Sequence, residues 1–188
     1  MNERNRPMLL ATLGDVAGVG PEITVAAAIN PEVRRVCDVV CVGDAAEVAR
    51  AVRLVGLDRA VCSIASVGEA TFDDGRINVL HVPEARVLGA RPGRPDAETG
   101  RATIQTLHRA VDAIQAGEAD GLVTAPGSKE AMRASGLELG IGQTEILQRR
   151  SGVAHVVMGL RGGGLCATHL TTHVALKDVI SQITPERI

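Results

Sequence analysis

Short apolar runs alternate along the chain with longer segments in which apolar residues recur every three or four positions. The short runs have the length and the Val, Ile and Leu content of buried β-strands, and the longer segments have the period of an amphipathic helix. This alternation predicts an α/β fold with a doubly wound, mainly parallel sheet. The predicted strands cover residues 8–13, 36–42, 76–82, 121–124, 153–158 and 165–172.

The starts of the predicted helices are marked by local chemistry. Pro21 suits the first turn of a helix, because its missing N–H would have no partner there. Asp44 and Asp96 each precede a helical pattern, and a carboxylate at that position accepts hydrogen bonds from the free N–H groups of the first turn. One predicted helix starts at Pro21, and the others cover residues 45–55, 97–116 and 146–150.

Composition narrows the classes of function. Hydrophobic residues make up 45% of the 188 residues, and Phe72 is the single aromatic residue, so the core must be aliphatic. A net charge of −2 without long basic runs excludes a typical nucleic-acid binder. No apolar stretch reaches membrane-spanning length, and no signal peptide is recognisable, so the expected location is the cytoplasm. The four cysteines lack Cys-x-x-Cys spacing and are predicted to be free thiols.

Residues 14–22 form a glycine-rich segment between a predicted strand and a predicted helix. Backbone N–H groups in such a loop can bind an anion, together with the N-terminus of the helix. The spacing of Gly14, Gly18 and Gly20 fits neither the dinucleotide-binding fingerprint nor a P-loop. An anion site and a plain tight turn are both compatible with this pattern.

Two polar segments follow the strand predicted to end at Thr124. Lys129 begins the next helix near the carboxyl end of that strand, where open α/β sheets bind ligands. It would bind a phosphate or a carboxylate, or it would simply be solvated. Gln143 and Thr144 precede another helix. Thr144 would cap that helix, or both side chains would bind a phosphate or hydroxyl of a substrate.

His169 and His173 are the candidates for a metal site. The threonines around them favour a strand, on which residues four apart are separated by about 13 Å, too far to share one ion. At most one of the two is therefore expected to bind a given metal. His173, at the end of the predicted strand, is the better candidate, with a purely structural histidine as the alternative.

Taken in order, these segments resemble the 4-hydroxythreonine-4-phosphate dehydrogenase family of vitamin B6 biosynthesis. The family's Gly-Asp-Pro-Ala-Gly-Ile-Gly-Pro-Glu is similar to residues 14–22, and its Thr-(Ala or Gly)-Pro-x-x-Lys is similar to residues 124–129. Its Gly-His-Thr-Glu is similar to residues 142–145, and its Thr-Thr-His-x-x-Leu-Arg-Asp to residues 171–178. Four motifs in the same order make the resemblance specific.

The resemblance implies a fold like those of isocitrate and isopropylmalate dehydrogenases, with an active site between two α/β domains and across a homodimer interface. It implies an NAD-dependent enzyme that uses a divalent metal (zinc, magnesium, manganese or cobalt) to oxidise and decarboxylate 4-hydroxythreonine 4-phosphate. His173 would be one of three histidines that hold the metal. Gln143, Thr144 and Lys129 would bind the substrate.

Most of the NAD pocket and the other two metal histidines belong to the C-terminal part of the family, which this sequence does not contain. Residues 1–125 are then expected to form the first domain, and residues 126–188 the truncated start of a second. Thr184 and Pro185 have the form of a helix start, which also predicts a chain that continues. The 188-residue chain alone is expected to be inactive.

Gln143 departs from the family pattern, which has histidine at this position. Glutamine cannot hold a positive charge against a phosphate. A paralogue that acts on phosphorylated threonate or erythronate, or on a dihydrodiol carboxylate, is therefore an alternative. A truncated non-catalytic remnant or binding module is a second alternative. An unrelated nucleotide-binding protein that uses residues 14–20 is a third.

Overall fold

A parallel β-sheet forms the centre of the first of two compact units in the computed structural model, which describes residues 6–137, 142–154, 156–171, 174–185 and 187–188. The first unit is Met1–Leu147, and the second is Gln148–Ile188. The first unit extends beyond residue 125, where the sequence suggested a boundary. The reason is that Met132 and Ile146 are buried in one cluster with Ile104 and Leu107.

The sheet of the first unit has five strands in the order β3-β4-β2-β1-β5. Every pair of neighbouring strands is parallel, as the sequence predicted. The strands are β1 (Met8–Thr12), β2 (Asp38–Gly43), β3 (Ala60–Ile64), β4 (Arg76–His81) and β5 (Gly121–Thr124). Since all their carboxyl ends lie at one edge, the loops that follow the strands gather there.

Helices cover both faces of this sheet. They are α1 (Gly20–Ile29), α2 (Pro31–Val36), α3 (Ala45–Leu54), α4 (Ala97–Gln115), α5 (Lys129–Ala134) and α6 (Gln143–Ser151), with short 3₁₀ turns at Val67–Glu69 and Pro83–Ala85. Val40 and Val42 of β2 belong to the core cluster that includes residues of α4. Cys41, between them, belongs to the cluster that includes residues of α1 and α3. Because side chains alternate along a strand, both faces of β2 are buried, which confirms a doubly wound sheet.

The helix caps predicted at Asp44 and Asp96 are confirmed. Asp44 accepts a hydrogen bond from Ala46 N at the start of α3. Asp96 accepts from Glu98 N and Thr99 N, and Thr99 Oγ1 accepts from Asp96 N in return, which forms a capping box. Proline lies in the first turn of α1, as predicted.

Two elements were not predicted, and one strand was placed too early. Asn30 caps α2 by accepting from Glu32 N, and this helix extends to Val36, which the apolar pattern had assigned to a strand. Strand β3 has partly exposed positions along most of its length, so it lacks the apolar run of a central strand. The Asn30 cap explains why α2 extends to Val36 and why β2 starts later than predicted. The edge position of β3 explains why its sequence lacks the pattern of a central strand.

The second unit contains an antiparallel hairpin of β6 (Gly159–Gly162) and β7 (Leu165–Thr168). Gly163 and Gly164 form the turn, and both have the positive φ that glycine permits. The prediction that this second strand extends to residue 172 is wrong among the described residues, and none of the described residues of 153–158 lies in a strand. The unit also has a short helix, α7 (Leu176–Val179), and a 3₁₀ turn at Ile180–Gln182. In the described part of the chain, no helix is long and apolar enough to cross a membrane.

Candidate functional site

The carboxyl ends of β1 and β5 lie side by side at the candidate site. Strand β1 pairs with β2 on one side and with β5 on the other, so the chain reverses its winding direction at β1. This switch point is the usual location of a ligand in an open α/β sheet. Asp15 N, just after β1, donates to Pro126 O, just after β5, at 2.9 Å.

The glycines after β1 allow unusually close packing of backbone. Gly14 has φ +65°, and a Cβ there would lie 2.3 Å from Pro126 O. A Cβ on Gly20 would lie 2.0 Å from Leu13 O. Both contacts are far below ordinary van der Waals distance, so glycine is required at these positions for a packing reason.

The Asp15 side chain stabilises this loop through hydrogen bonds. Its buried carboxylate accepts hydrogen bonds from Ala17 N at 2.9 Å and from Thr99 Oγ1 at 3.2 Å. Gly18 N also bonds within the loop, to Asp15 O. Three backbone N–H groups of the segment, at residues 15, 17 and 18, are thus already used, and a carboxylate occupies the centre. The geometry therefore favours the tight-turn interpretation of residues 14–22 over the anion site.

Helix α4 contacts both the loop after β1 and helix α5. The single hydrogen of Thr103 Oγ1 is shared between Thr99 O at 2.9 Å and Gly14 O at 3.1 Å, and the second contact links this helix to the loop after β1. Gly100 lets α5 approach α4 so closely that a Cβ on it would lie 2.0 Å from Ala131 O. Asp15, Thr99, Thr103 and Gly100 were not predicted as site residues, because their roles depend on contacts between distant parts of the chain.

Lys129 is exposed at the first residue of α5, beside the site. Ser128 caps this helix by accepting from Ala131 N at 3.2 Å. A Cβ on Gly142 would lie 2.9 Å from Lys129 Cε, so the lysine stem runs directly over this glycine. Lys129 has no carboxylate within ion-pair distance among the residues that the structure describes.

Gln143, the first residue of α6, bonds back to the end of β5. Its side-chain Nε2 donates to Ala125 O at 3.1 Å. Ile146, one turn later, is buried against Ile104 and Leu107 of α4, which fixes the start of α6 on the first unit. Lys129 therefore lies beside Gly142, the residue that precedes Gln143.

Thr144 is exposed in the first turn of α6 and does not cap the helix, so the capping role considered for it is wrong. The start of the helix is stabilised instead by Glu145, whose Oε2 accepts from Gly142 N at 3.0 Å. A carboxylate at the third helical position commonly takes this role. Thr144 is left with its hydroxyl on the surface next to Gln143.

His173 lies outside the described residues, and His169 is exposed in the second unit. Among the described residues, no group of three or more His, Cys, Asp or Glu side chains is placed to hold a metal ion. The metal role of His173 therefore stays a prediction.

Two cavities lie elsewhere in the described part of the chain. One of about 400 Å³ lies between the end of β4 and helix α4, and His81, Glu84, His108 and Asp112 are among its lining residues. The other, of about 910 Å³, lies in the second unit beside His169. None of Lys129, Gln143 and Thr144 lines either cavity.

The doubly wound parallel sheet defines an α/β protein, and Lys129 and Gln143 lie near the switch point at which such sheets usually bind ligands. The sequence pattern of the pyridoxal phosphate biosynthetic protein PdxA family matches residues 35–188. The chain belongs to this family, which confirms the resemblance found in the four motifs.

Similar proteins carry more than one substrate name. The chain is 39% identical over 184 residues to D-threonate 4-phosphate dehydrogenase of Bordetella bronchiseptica, covering 97% of the chain and 52% of that protein. It is 34% identical over 183 residues to 4-hydroxythreonine-4-phosphate dehydrogenase of Geobacter metallireducens, covering 97% and 54%. The crystal structure of a 4-hydroxythreonine-4-phosphate dehydrogenase from Burkholderia phymatum superposes with a TM-score of 0.90 at 33% identity, covering 98% of this chain and 55% of that one. The chain spans about half the length of the curated relatives it matches.

Proposed function

We propose that the full-length gene product is an NAD-dependent, divalent-metal-dependent dehydrogenase that oxidises and decarboxylates a phosphorylated hydroxy acid. D-Threonate 4-phosphate is the first candidate substrate, and 4-hydroxythreonine 4-phosphate is the second. The observation that carries the proposal is that Gln143 bonds to the end of β5 while Lys129 lies over the neighbouring Gly142, with Gln143 at the position of the histidine in the family pattern.

Lys129 supports an anionic ligand. An exposed ammonium group with no carboxylate partner among the described residues is available to a phosphate or carboxylate. Glu145, the nearest acidic residue along α6, already uses Oε2 to accept from Gly142 N. Both candidate substrates carry a phosphate and a carboxylate, so this lysine suits either of them.

Gln143 supports the ranking of the two substrates. A histidine at this position could become positively charged, whereas glutamine stays neutral at every pH that a folded protein tolerates. This chain, which has glutamine at position 143, is 39% identical to a protein named for D-threonate 4-phosphate. The 34% identity to a protein named for 4-hydroxythreonine 4-phosphate keeps that substrate as the second candidate.

NAD, a divalent metal and a homodimer are included because the family resemblance implies them. NAD would accept the hydride, and a metal would favour loss of the hydroxyl proton. The described residues contain no group of three or more side chains placed to bind a metal ion, and His173 lies outside them. No described residue is therefore assigned to either cofactor.

The test is a substrate screen on the full-length gene product with NAD and each of several divalent metals, following NADH absorbance. We expect turnover of D-threonate 4-phosphate and, more slowly, of 4-hydroxythreonine 4-phosphate, and loss of turnover after chelation. Gln143→His is expected to shift the preference toward 4-hydroxythreonine 4-phosphate. Absence of NADH with every phosphorylated acid, or turnover of only an unphosphorylated dihydrodiol carboxylate, would contradict the proposal.

A further inference from the structure

Two arginines face each other across a tight turn in the loop that joins β4 to α4. Arg91 and Arg94 form an isolated antiparallel bridge, and Arg94 N donates to Arg91 O at 3.0 Å. Pro92 and Gly93 lie between them, and Gly93 has φ +75°, which is the pattern of a type II turn. Residues paired in this way carry their side chains on the same face, with Cβ atoms about 5 Å apart. The turn therefore places two arginine side chains next to each other.

This turn is fixed at both ends beside the switch point of the sheet. Gly93 N donates to Ala17 O, in the loop after β1, at 2.7 Å. On the other side, Pro95 restricts the backbone of Arg94 to an extended conformation, and Asp96 caps α4 immediately afterwards. Both arginines thus extend from a fixed support at the carboxyl edge of the sheet, where open α/β sheets bind ligands.

The charges of Arg91 and Arg94 are not neutralised within the described part of the chain. Both side chains are exposed, and neither guanidinium there lies within ion-pair distance of a carboxylate. The nearest acid along the chain, Asp96, uses its carboxylate to accept from Glu98 N and Thr99 N. Like charges placed directly opposite each other are destabilising. An anionic ligand would offset this repulsion.

Neighbouring arginines at this edge of the sheet have structural partners instead. Arg50 donates to Glu47 Oε2 at 2.8 Å and to Val16 O at 3.2 Å. Arg101 donates to Gln105 Oε1 at 2.7 Å and to the carbonyl oxygen of residue 86 at 3.2 Å. Those two side chains stabilise the fold directly, whereas Arg91 and Arg94 make no comparable contact with the described residues.

We propose that the turn of Arg91 and Arg94 is an anion site that binds a pyrophosphate group. Guanidinium groups bind phosphate oxygens through paired N–H bonds, and two adjacent guanidiniums suit a ligand with at least two negative charges. The site lies beside the loop after β1 and is separate from Lys129, which follows β5. Free pyrophosphate has this chemistry, and so does a dinucleotide such as the NAD of the proposed function. Only the second source rests on the proposed function.

The experiment measures binding to the full-length protein by isothermal titration calorimetry, in metal-free buffer at physiological ionic strength. The probes are inorganic pyrophosphate and NAD, each titrated into the native protein and into the double variant Arg91→Gln/Arg94→Gln. The matched control is Arg35→Gln/Arg53→Gln. It removes the same charge from two exposed arginines that also lack a carboxylate partner among the described residues.

We expect Arg91→Gln/Arg94→Gln to weaken pyrophosphate binding by roughly tenfold or more, the loss expected when charge-assisted hydrogen bonds are removed. The control should change binding little, because salt screens distant charges. A second pair of variants tests the geometry of the turn. Gly93 and Gly117 both have φ +75° and open space around a Cβ, so alanine strains the backbone equally at each. Only Gly93→Ala should weaken binding, because it distorts the turn that places the arginines.

Weaker binding of both probes by Arg91→Gln/Arg94→Gln would support the site with the dinucleotide as its ligand. Weaker binding of pyrophosphate alone would support it with free pyrophosphate as the ligand. The proposal is overturned if the native protein does not bind pyrophosphate, if the double variant binds it as tightly as the native protein does, or if the control loses as much affinity. NADH formation is measured separately, and the expected binding pattern without turnover would contradict the proposed function while supporting the anion site.

Discussion

Replacing Gly100 with alanine tests the packing that positions the candidate site. Gly100 lies in α4 directly against α5, the helix that begins with Lys129. The added Cβ would lie 2.0 Å from Ala131 O and 2.1 Å from Ala131 C. These atoms are backbone and cannot rotate away, so α5 would have to retreat by roughly 1.4 Å to restore ordinary contact.

The expected change in the free energy of unfolding combines two destabilising effects and one stabilising effect. Overpacking of this kind costs about 1–3 kcal/mol. Alanine has a better helix propensity than glycine, which returns about 1 kcal/mol. Retreat of α5 would also uncover Met132, which is now fully buried beneath it, at a further cost of about 1–2 kcal/mol. We therefore expect a net loss of about 2 kcal/mol.

The assay is urea unfolding of the full-length protein, with hydrogen exchange of residues 129–134 as a local readout. Gly68→Ala is the matched control, because the nearest atom to a Cβ there is 3.9 Å away and its φ is not positive. Gly68→Ala should be neutral or slightly stabilising. If Gly100→Ala were as stable as this control and exchange in α5 were unchanged, the close approach of α4 and α5 would be refuted.

Three further predictions follow from particular contacts. Asp15→Ala should destabilise by about 1–3 kcal/mol because Ala17 N loses its acceptor, and urea unfolding should show no such loss for the exposed Asp58→Ala. Lys129→Met should weaken binding of D-threonate 4-phosphate roughly tenfold and of unphosphorylated D-threonate less, while Lys177→Met should alter neither dissociation constant. Burial raises the pKa of the Cys41 thiol from 9.0 to about 12. Its contribution to stability is therefore complete below pH 9 and falls as the pH rises toward 12, and Cys41→Ala should flatten this fall in urea unfolding.

The fold was predictable where its signals are local. Asp44, Asp96 and Pro21 start helices through bonds or geometry within a few residues, so the sequence identifies them directly. Strand β3 escaped prediction because it is partly exposed at the sheet edge and lacks a continuous apolar run. The extent of the first unit was also hidden, because Met132 and Ile146 become core residues only when α4 packs on them.

The candidate site was predictable in its residue types and not in its connections. The motifs identified Lys129 and Gln143, and the topology of the sheet brings them together. The glycine loop suggested an anion site as readily as a tight turn, because a sequence cannot show that Asp15 uses the loop's own N–H groups. The orientation of the Gln143 amide depends on Ala125 O, which is 18 residues away.

The most direct test of the central claim is a crystal structure of the full-length protein with D-threonate 4-phosphate bound. We predict that the phosphate lies at Lys129 Nζ and that Gln143 Nε2 keeps its bond to Ala125 O. A ligand bound away from the ends of β1 and β5 would contradict the account.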